Sequence, residues 1–173
     1  MNTDTPSAPF ASEQDLFDRL DAIGIVYTTY RHPALHTVED AQAARAALPE
    51  MQGGHCKNLF LKDKKDVFWL IVTLEEKRVE MNALQKNLGA ARLSFGKPEY
   101  MKEYLGVVPG SVTPFAAINE ASQNVRFILD AEMLAHETLN YHPLHNAATT
   151  SIRSQDLLLF LKDCGHKPEI IPI

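Results

Sequence analysis

The stretch DVFWLIVTL, Asp66–Leu74, is apolar on both of the faces that a strand presents. Successive strand side chains point to opposite sides of a sheet. A run without alternation therefore predicts a central strand, with packed layers on both faces. NLFLKD precedes it across the charged turn Lys62–Asp66, and the two runs together predict a hairpin. Any fold for this chain has to be built around that pair.

The flanking segments predict helices and further strands. Residues 12–23 place Leu16, Phe17, Leu20 and Ile23 on one helical face, with Ser12 and Asp15 spaced as a capping box and Gly24 as the stop. VYTTYRH (26–32) reads as a strand ended by Pro33, and Thr37 caps an Ala-rich helix over 37–48. Two short helices follow, Glu80–Leu88 closed by Gly89 and Lys97–Leu105 closed by Gly106, the second with Pro98 in its first turn. NVRFILD (124–130) reads as a strand. LNYHPLH and NAATTSI (139–152) read as two more, and SQDLLLFLKDCG (154–165) as a last helix. Several strands are joined by tight turns rather than by helices. That predicts one mixed α/β (α+β) domain over 12–173, behind a flexible lead of residues 1–11, and not a doubly wound parallel sheet.

The N-terminus carries no charged and apolar leader, and no apolar run is long enough to span a bilayer. With only two cysteines, Cys56 and Cys164, the expectation is a reduced cytoplasmic protein with no membrane partner. The net charge of −5 hides an asymmetry: Lys57–Lys102 holds ten Lys/Arg against six Asp/Glu, so a +4 segment sits in an otherwise acidic chain. Such a segment could form an anion-facing patch, though on charge alone a solvated surface is the simpler account.

The chemistry is carried by a few short stretches. Lys57 and Asn58 open the first hairpin strand after Gly53-Gly54. A lysine there can hold a phosphate or a carbonyl oxygen, and an asparagine amide both donates and accepts. Cys56 would be a nucleophile only with a histidine beside it, and His55, His142 and His145 are the candidates. His142 and His145 in NYHPLHN are separated by Pro143, which spoils the helical spacing a zinc pair needs, so no metal or cofactor is called for. GVVPGSVTPFA (106–116) is too interrupted for a helix and too apolar for an ordinary loop. Gly110 permits a close backbone approach, Pro114 can open a short helix in PFAAIN, and the amides of Ser111, Val112 and Thr113 could converge on an oxygen.

Taken in order, CKNLFLKDKKDVFWLIVT, RLSFGKPEYMKEYLGVVPGSVTPFAAIN and NYHPLHNAATTSI resemble the YbaK/prolyl-tRNA synthetase-associated domain family, from about Thr28 to the end. That family comprises the editing domain of bacterial prolyl-tRNA synthetases and free-standing relatives, among them Ala-tRNA(Pro) deacylases. The resemblance implies a bent mixed β-sheet surrounded by helices. It also implies trans-acting hydrolysis of alanine from the acceptor end of tRNA(Pro), with prolyl-tRNA synthetase as a further partner. Lys57 and Asn58 match the family's K-N pair, Gly110–Pro114 its G-x-x-x-P loop and His142 its pocket histidine; Lys62 and Arg92 fall where relatives hold the acceptor stem. On this resemblance the loop cradles the ester, Lys57 holds the terminal phosphate or the carbonyl, and water attacks. Three rivals stand beside this reading: a deacylase for another amino acid such as cysteine, a non-catalytic module that binds tRNA or a synthetase, and a cysteine hydrolase built on Cys56.

Overall fold

Every residue of the strand Phe68–Leu74 is buried, and strands flank it on both sides, as its two apolar faces require. The computed structural model of the protein describes residues 9–173. In chain order the elements are α1 (Glu13–Ala22), β1 (Tyr27–Arg31), α2 (Val38–Ala47), β2 (Gly54–Lys62), β3 (Phe68–Leu74), α3 (Met81–Leu88), β4 (Ser94–Phe95) and α4 (Pro98–Leu105). Then come β5 (Val125–Asp130), β6 (Thr138–Tyr141), β7 (Ala148–Arg153), α5 (Ser154–Asp163) and β8 (Glu169–Ile171), with 3₁₀ turns at Pro114–Asn119 and Met133–Ala135. The strands form one mixed sheet in the order β1-β7-β6-β2-β3-β5-β8, with β4 also on β2. The β2–β6, β3–β5 and β5–β8 pairs are parallel and the others antiparallel. The chain is thus the single mixed α/β domain that the tight turns predict. β4, β8 and the Met133–Ala135 turn have no counterpart in the sequence reading, because two or three residues are too short to show a period.

The two faces of β3 organise the core. Phe68, Leu70, Val72 and Leu74 pack with Leu16 and Leu20 of α1, Leu105 of α4 and Leu157 and Phe160 of α5. Trp69 and Ile71 face Leu61, Leu84 and Ile128 on the other side. Thr73 is the polar exception in this strand. Its hydroxyl donates to the fully buried Asp130 carboxylate at 2.6 Å, which also accepts from Lys77 at 3.1 Å. A buried carboxylate is tolerated when it is paired and hydrogen-bonded in this way.

Local signals set the helix ends. Both capping boxes form, Ser12 with Asp15 and Thr37 with Asp40, each cap stabilising its helix by about 0.5–2 kcal/mol. Of the expected flexible lead, residues 1–8 lie outside the described residues. Its last part is held: the Ala11 N–H donates to Asn119 Oδ1 at 2.7 Å.

Gly53 makes the turn into β2 possible. Its φ is +98°, and a Cβ there would lie 2.5 Å from the Thr138 carbonyl oxygen. That oxygen belongs to backbone and cannot swing aside. Gly53→Ala is expected to cost at least about 1–2 kcal/mol from backbone strain alone, lowering Tm by roughly 2–8 °C. An unchanged melting curve would contradict this account of the turn.

Candidate active site

The phase of the β2–β3 ladder positions the site. Asp63 N–H donates to the Val67 carbonyl and Glu75 N–H to the His55 carbonyl, which makes the odd-numbered residues of β2 the hydrogen-bonded partners of β3. The even-numbered residues turn their main-chain groups to the other edge. β6 pairs that edge only at Gly54 and His55, and β4 only at Leu61 and Lys62. Between them the Asn58 N–H and C=O face a gap in the sheet. A cleft of about 440 Å³ opens there, with Cys56, Asn58, Tyr141, His142 and Thr149 among its lining and α2 as one wall.

Asn58 and His142, which both line this cleft, each keep an acceptor without a donor among the described residues. The Asn58 amide donates through Nδ2 to the Val112 carbonyl at 3.0 Å, and because a carbonyl can only accept, this bond fixes the orientation of the amide. Asn58 Oδ1 is then a buried acceptor without a partner. His142 Nδ1 lies 3.0 Å from the Ala148 carbonyl and must carry the proton. The neutral ring therefore keeps its lone pair on Nε2, which has no hydrogen-bond partner among the described residues. Burial pulls the His142 pKa below the ordinary imidazole value; the bond to Ala148 opposes this, and the neighbouring His32 and His145 reinforce it.

Several other polar groups of the lining are satisfied, while the His36 and His55 rings have no hydrogen-bond partner among the described residues. His32 Nδ1–H donates to the Pro33 carbonyl at 2.9 Å, so its Nε2 accepts from the Thr149 hydroxyl at 2.8 Å. Asn140 Nδ2 donates to the carbonyls of Gln52 and Gly54, and its Oδ1 accepts from Ser151. Arg45 on α2 pairs with Glu75 across the cleft. Burial pushes the Cys56 thiol up to about 12, so it is protonated at neutral pH and a thiolate nucleophile is not available there.

Of the residues singled out from the sequence, Asn58 and His142 line the cleft. Lys57 does not. It lies directly opposite Thr73 in the ladder, on the other face of β2, and its ammonium donates to the Lys77 carbonyl just beyond Glu75 at the rim. The expectation that Lys57 and His142 share one space is corrected by this strand alternation. The loop 110–114 borders the cleft through Val112 without lining it. Its amides do not converge as expected, because Ser111 N–H is used by the Val108 carbonyl at 3.0 Å. Ser111, Thr113 and Pro114 are buried, and Thr113 Oγ1 caps the following turn by accepting from Phe115 N–H at 3.3 Å. Gly110 has φ +88° but open space where a Cβ would stand, Asn146 Nδ2 being nearest at 3.9 Å. Backbone strain, not crowding, is therefore the reason for glycine.

The basic segment is partly neutralised. Lys62 pairs with Asp66 at 2.6 Å and lies over the Tyr100 ring, Lys77 pairs with Asp130 and Glu132, and Arg78 with Glu80. Arg92 is exposed and in no ion pair among the described residues. It is held in place indirectly. The buried Asp63 carboxylate accepts from Lys65, Val67 and Ala91 N–H, joining the hairpin turn to the Arg92 loop. Asn140, Tyr141 and Thr149 lie within NYHPLHNAATTSI but are not singled out there as site residues, and His32 belongs to no motif.

The mixed sheet accords with the comparisons. Residues 32–160 match the profile of the aminoacyl-tRNA editing domain. Prolyl-tRNA synthetase associated domain-containing protein 1 is 39% identical in Xenopus laevis over 166 residues, covering 91% of this chain and 95% of that one. Its Bos taurus counterpart is 37% identical over 161 residues, covering 90% and 92%. Prolyl-tRNA editing protein ProX of Acetoanaerobium sticklandii is 28% identical over 156 residues, covering 90% and 93%. A solved structure of a candidate trans-editing enzyme for prolyl-tRNA synthetase shares the fold, with a TM-score of 0.71 at 17% identity over 95% of this chain and 98% of that one. The chain belongs to the aminoacyl-tRNA editing domain family. Among the described residues no helix is long and apolar enough to cross a membrane.

Proposed function

We propose that this protein is a trans-acting deacylase that hydrolyses the ester joining alanine to tRNA(Pro). The observation that carries the reading is that Asn58 and His142, residues lining one small cleft, each keep an acceptor without a partner among the described residues, Oδ1 and Nε2. Such a pair calls for a ligand that brings donors. An aminoacyl ester does so through its α-ammonium, and the water that attacks it does so through O–H. Asn58 Oδ1 holds the ammonium. His142 Nε2 accepts a proton from the water as its oxygen bonds to the carbonyl carbon, and the Asn58 main-chain N–H meets the developing oxyanion. The bond from the carbonyl carbon to the ribose oxygen then breaks, and that oxygen leaves as a hydroxyl with the proton returned from His142. Lys57, at the rim, takes the terminal phosphate and not the carbonyl. Arg92 follows the acceptor stem, and prolyl-tRNA synthetase is the source of the mischarged substrate.

The test is a set of tRNA(Pro) esters of alanine, serine, cysteine and proline. Alanine is expected to be released fastest. Faster release of cysteine would transfer the assignment to that substrate, and tRNA binding with no release of any amino acid would leave only a binding module. Pocket size separates such neighbours by about 1–3 kcal/mol per methylene, so the comparison needs rates and not a single endpoint.

The same material tests the cations. Lys57→Ala and Arg92→Ala should each flatten the dependence of tRNA affinity on salt by roughly one phosphate contact. Lys62→Ala should do less, because Asp66 already neutralises that ammonium at 2.6 Å. Equal slopes for all three variants and the native protein would place the stem elsewhere.

A further inference from the structure

The turn that carries His142 is strained and is pinned from a distance. Leu144 has φ +72°, a left-handed conformation that a branched side chain rarely adopts. Its N–H closes a tight turn onto the His142 carbonyl at 3.0 Å. Strained residues of this kind persist only where the surroundings hold them. Four contacts do so here. Asn146 Nδ2 donates to the Leu35 carbonyl, and Leu35 N–H returns a bond to the Asn146 carbonyl. His32 N–H donates to the Ala147 carbonyl. The fourth is His145, whose ring is fixed at both nitrogens. Nδ1 accepts from Ala147 N–H at 3.1 Å, so Nε2 carries the proton and donates to Glu13 Oε1 at 2.8 Å.

Glu13 is itself immobilised. It is the first residue of α1, and its two carboxylate oxygens accept from both terminal nitrogens of Arg31 on β1. The chain of bonds therefore runs from Arg31 and Glu13 through His145 to the Ala147 amide. The next residue, Ala148, supplies the carbonyl that holds the His142 Nδ1–H. If that carbonyl turns away, nothing keeps the His142 lone pair on Nε2.

We propose that Glu13 and His145 are positioning residues that hold the backbone of Ala147 and Ala148 through the Ala147 N–H, and through the Ala148 carbonyl select the Nδ1–H tautomer of His142. Neither is among the residues lining the cleft, and Glu13 acts from an element 132 residues from His145 in sequence. The inference rests on the deacylase reading for its catalytic consequence, but not for the tautomer itself.

The experiment reads the two separately. Ring nitrogen shifts of His142 in the free protein, at alkaline pH, report its tautomer without any substrate. The native protein should show one tautomer, with Nε2 unprotonated. Glu13→Ala and His145→Ala should each populate both tautomers and lower kcat by roughly 10-fold to 100-fold, the scale expected when a reacting group is misplaced, with KM little changed. Glu13→Gln keeps an acceptor for His145 and should retain the native tautomer. Tm measured on each variant confirms that it is folded. A folded Glu13→Ala variant with a single Nε2-unprotonated tautomer would overturn the proposal. A native protein that releases no amino acid from any tRNA(Pro) ester would overturn the deacylase reading instead, while the spectrum still judges the clamp.

Discussion

His142→Ala is expected to reduce single-turnover hydrolysis of Ala-tRNA(Pro) by roughly 10²–10⁴-fold, the usual contribution of a positioned general base. The fold should survive, since the ring's one bond inside the protein is to the Ala148 carbonyl. The native rate should also fall in acid. Burial lowers the His142 pKa from its ordinary value of 6.5, so the basic form predominates at neutral pH, and the rate drops only as pH passes below that value. The same shift bears on stability. As pH falls below 6.5 the unfolded chain binds a proton at this site before the folded protein does, and folding is weakened over the interval down to the folded-state pKa. His142→Gln removes this contribution. A rate independent of pH across that window, or near-native hydrolysis by a folded His142→Ala variant, would exclude the ring as the base.

Asn58→Ala should have the second largest effect. It removes the acceptor proposed for the α-ammonium, and a hydrogen bond to a charged group contributes about 1.5–3 kcal/mol, or roughly 10-fold to 100-fold in kcat/KM. It also leaves the Val112 carbonyl without its donor, so some loss of Tm is expected alongside. The two effects separate when the variant is assayed well below its own melting temperature. Near-native kcat/KM under those conditions would mean that the buried Oδ1 is not where the substrate's donor binds.

The alternation along β2 shows how far the site could be read in advance. Lys57 and Asn58 are adjacent in an extended segment, so only one of them can face a given side of the sheet. That much is legible in CKNLFLKD. Which of them faces the cleft depends on where Val112 and the β6–β7 turn lie, and these are brought to β2 from 54 residues away and further. The basic segment is similar. Its charge can be counted in the sequence, yet Lys62 and Lys77 are neutralised by ion pairs that depend on the hairpin turn and on β5, whereas Arg92 is left exposed.

By itself the sequence determined what acts over a few residues. The two-sided apolar run demanded a central strand, Ser12 and Thr37 with their acidic partners started helices, and Gly89 and Gly106 ended them in the left-handed conformation. Those signals are local because helix periods, caps and turns are satisfied by neighbours in the chain. Only the tertiary structure decided which polar groups remain unsatisfied. Asn58 Oδ1 is an orphan because Val112 takes the other end of its amide, and the proton on His142 is placed by Ala148. Hydrogen-bond partnership is a property of what is packed nearby and shielded from water, and for this site the partners come from separate parts of the chain.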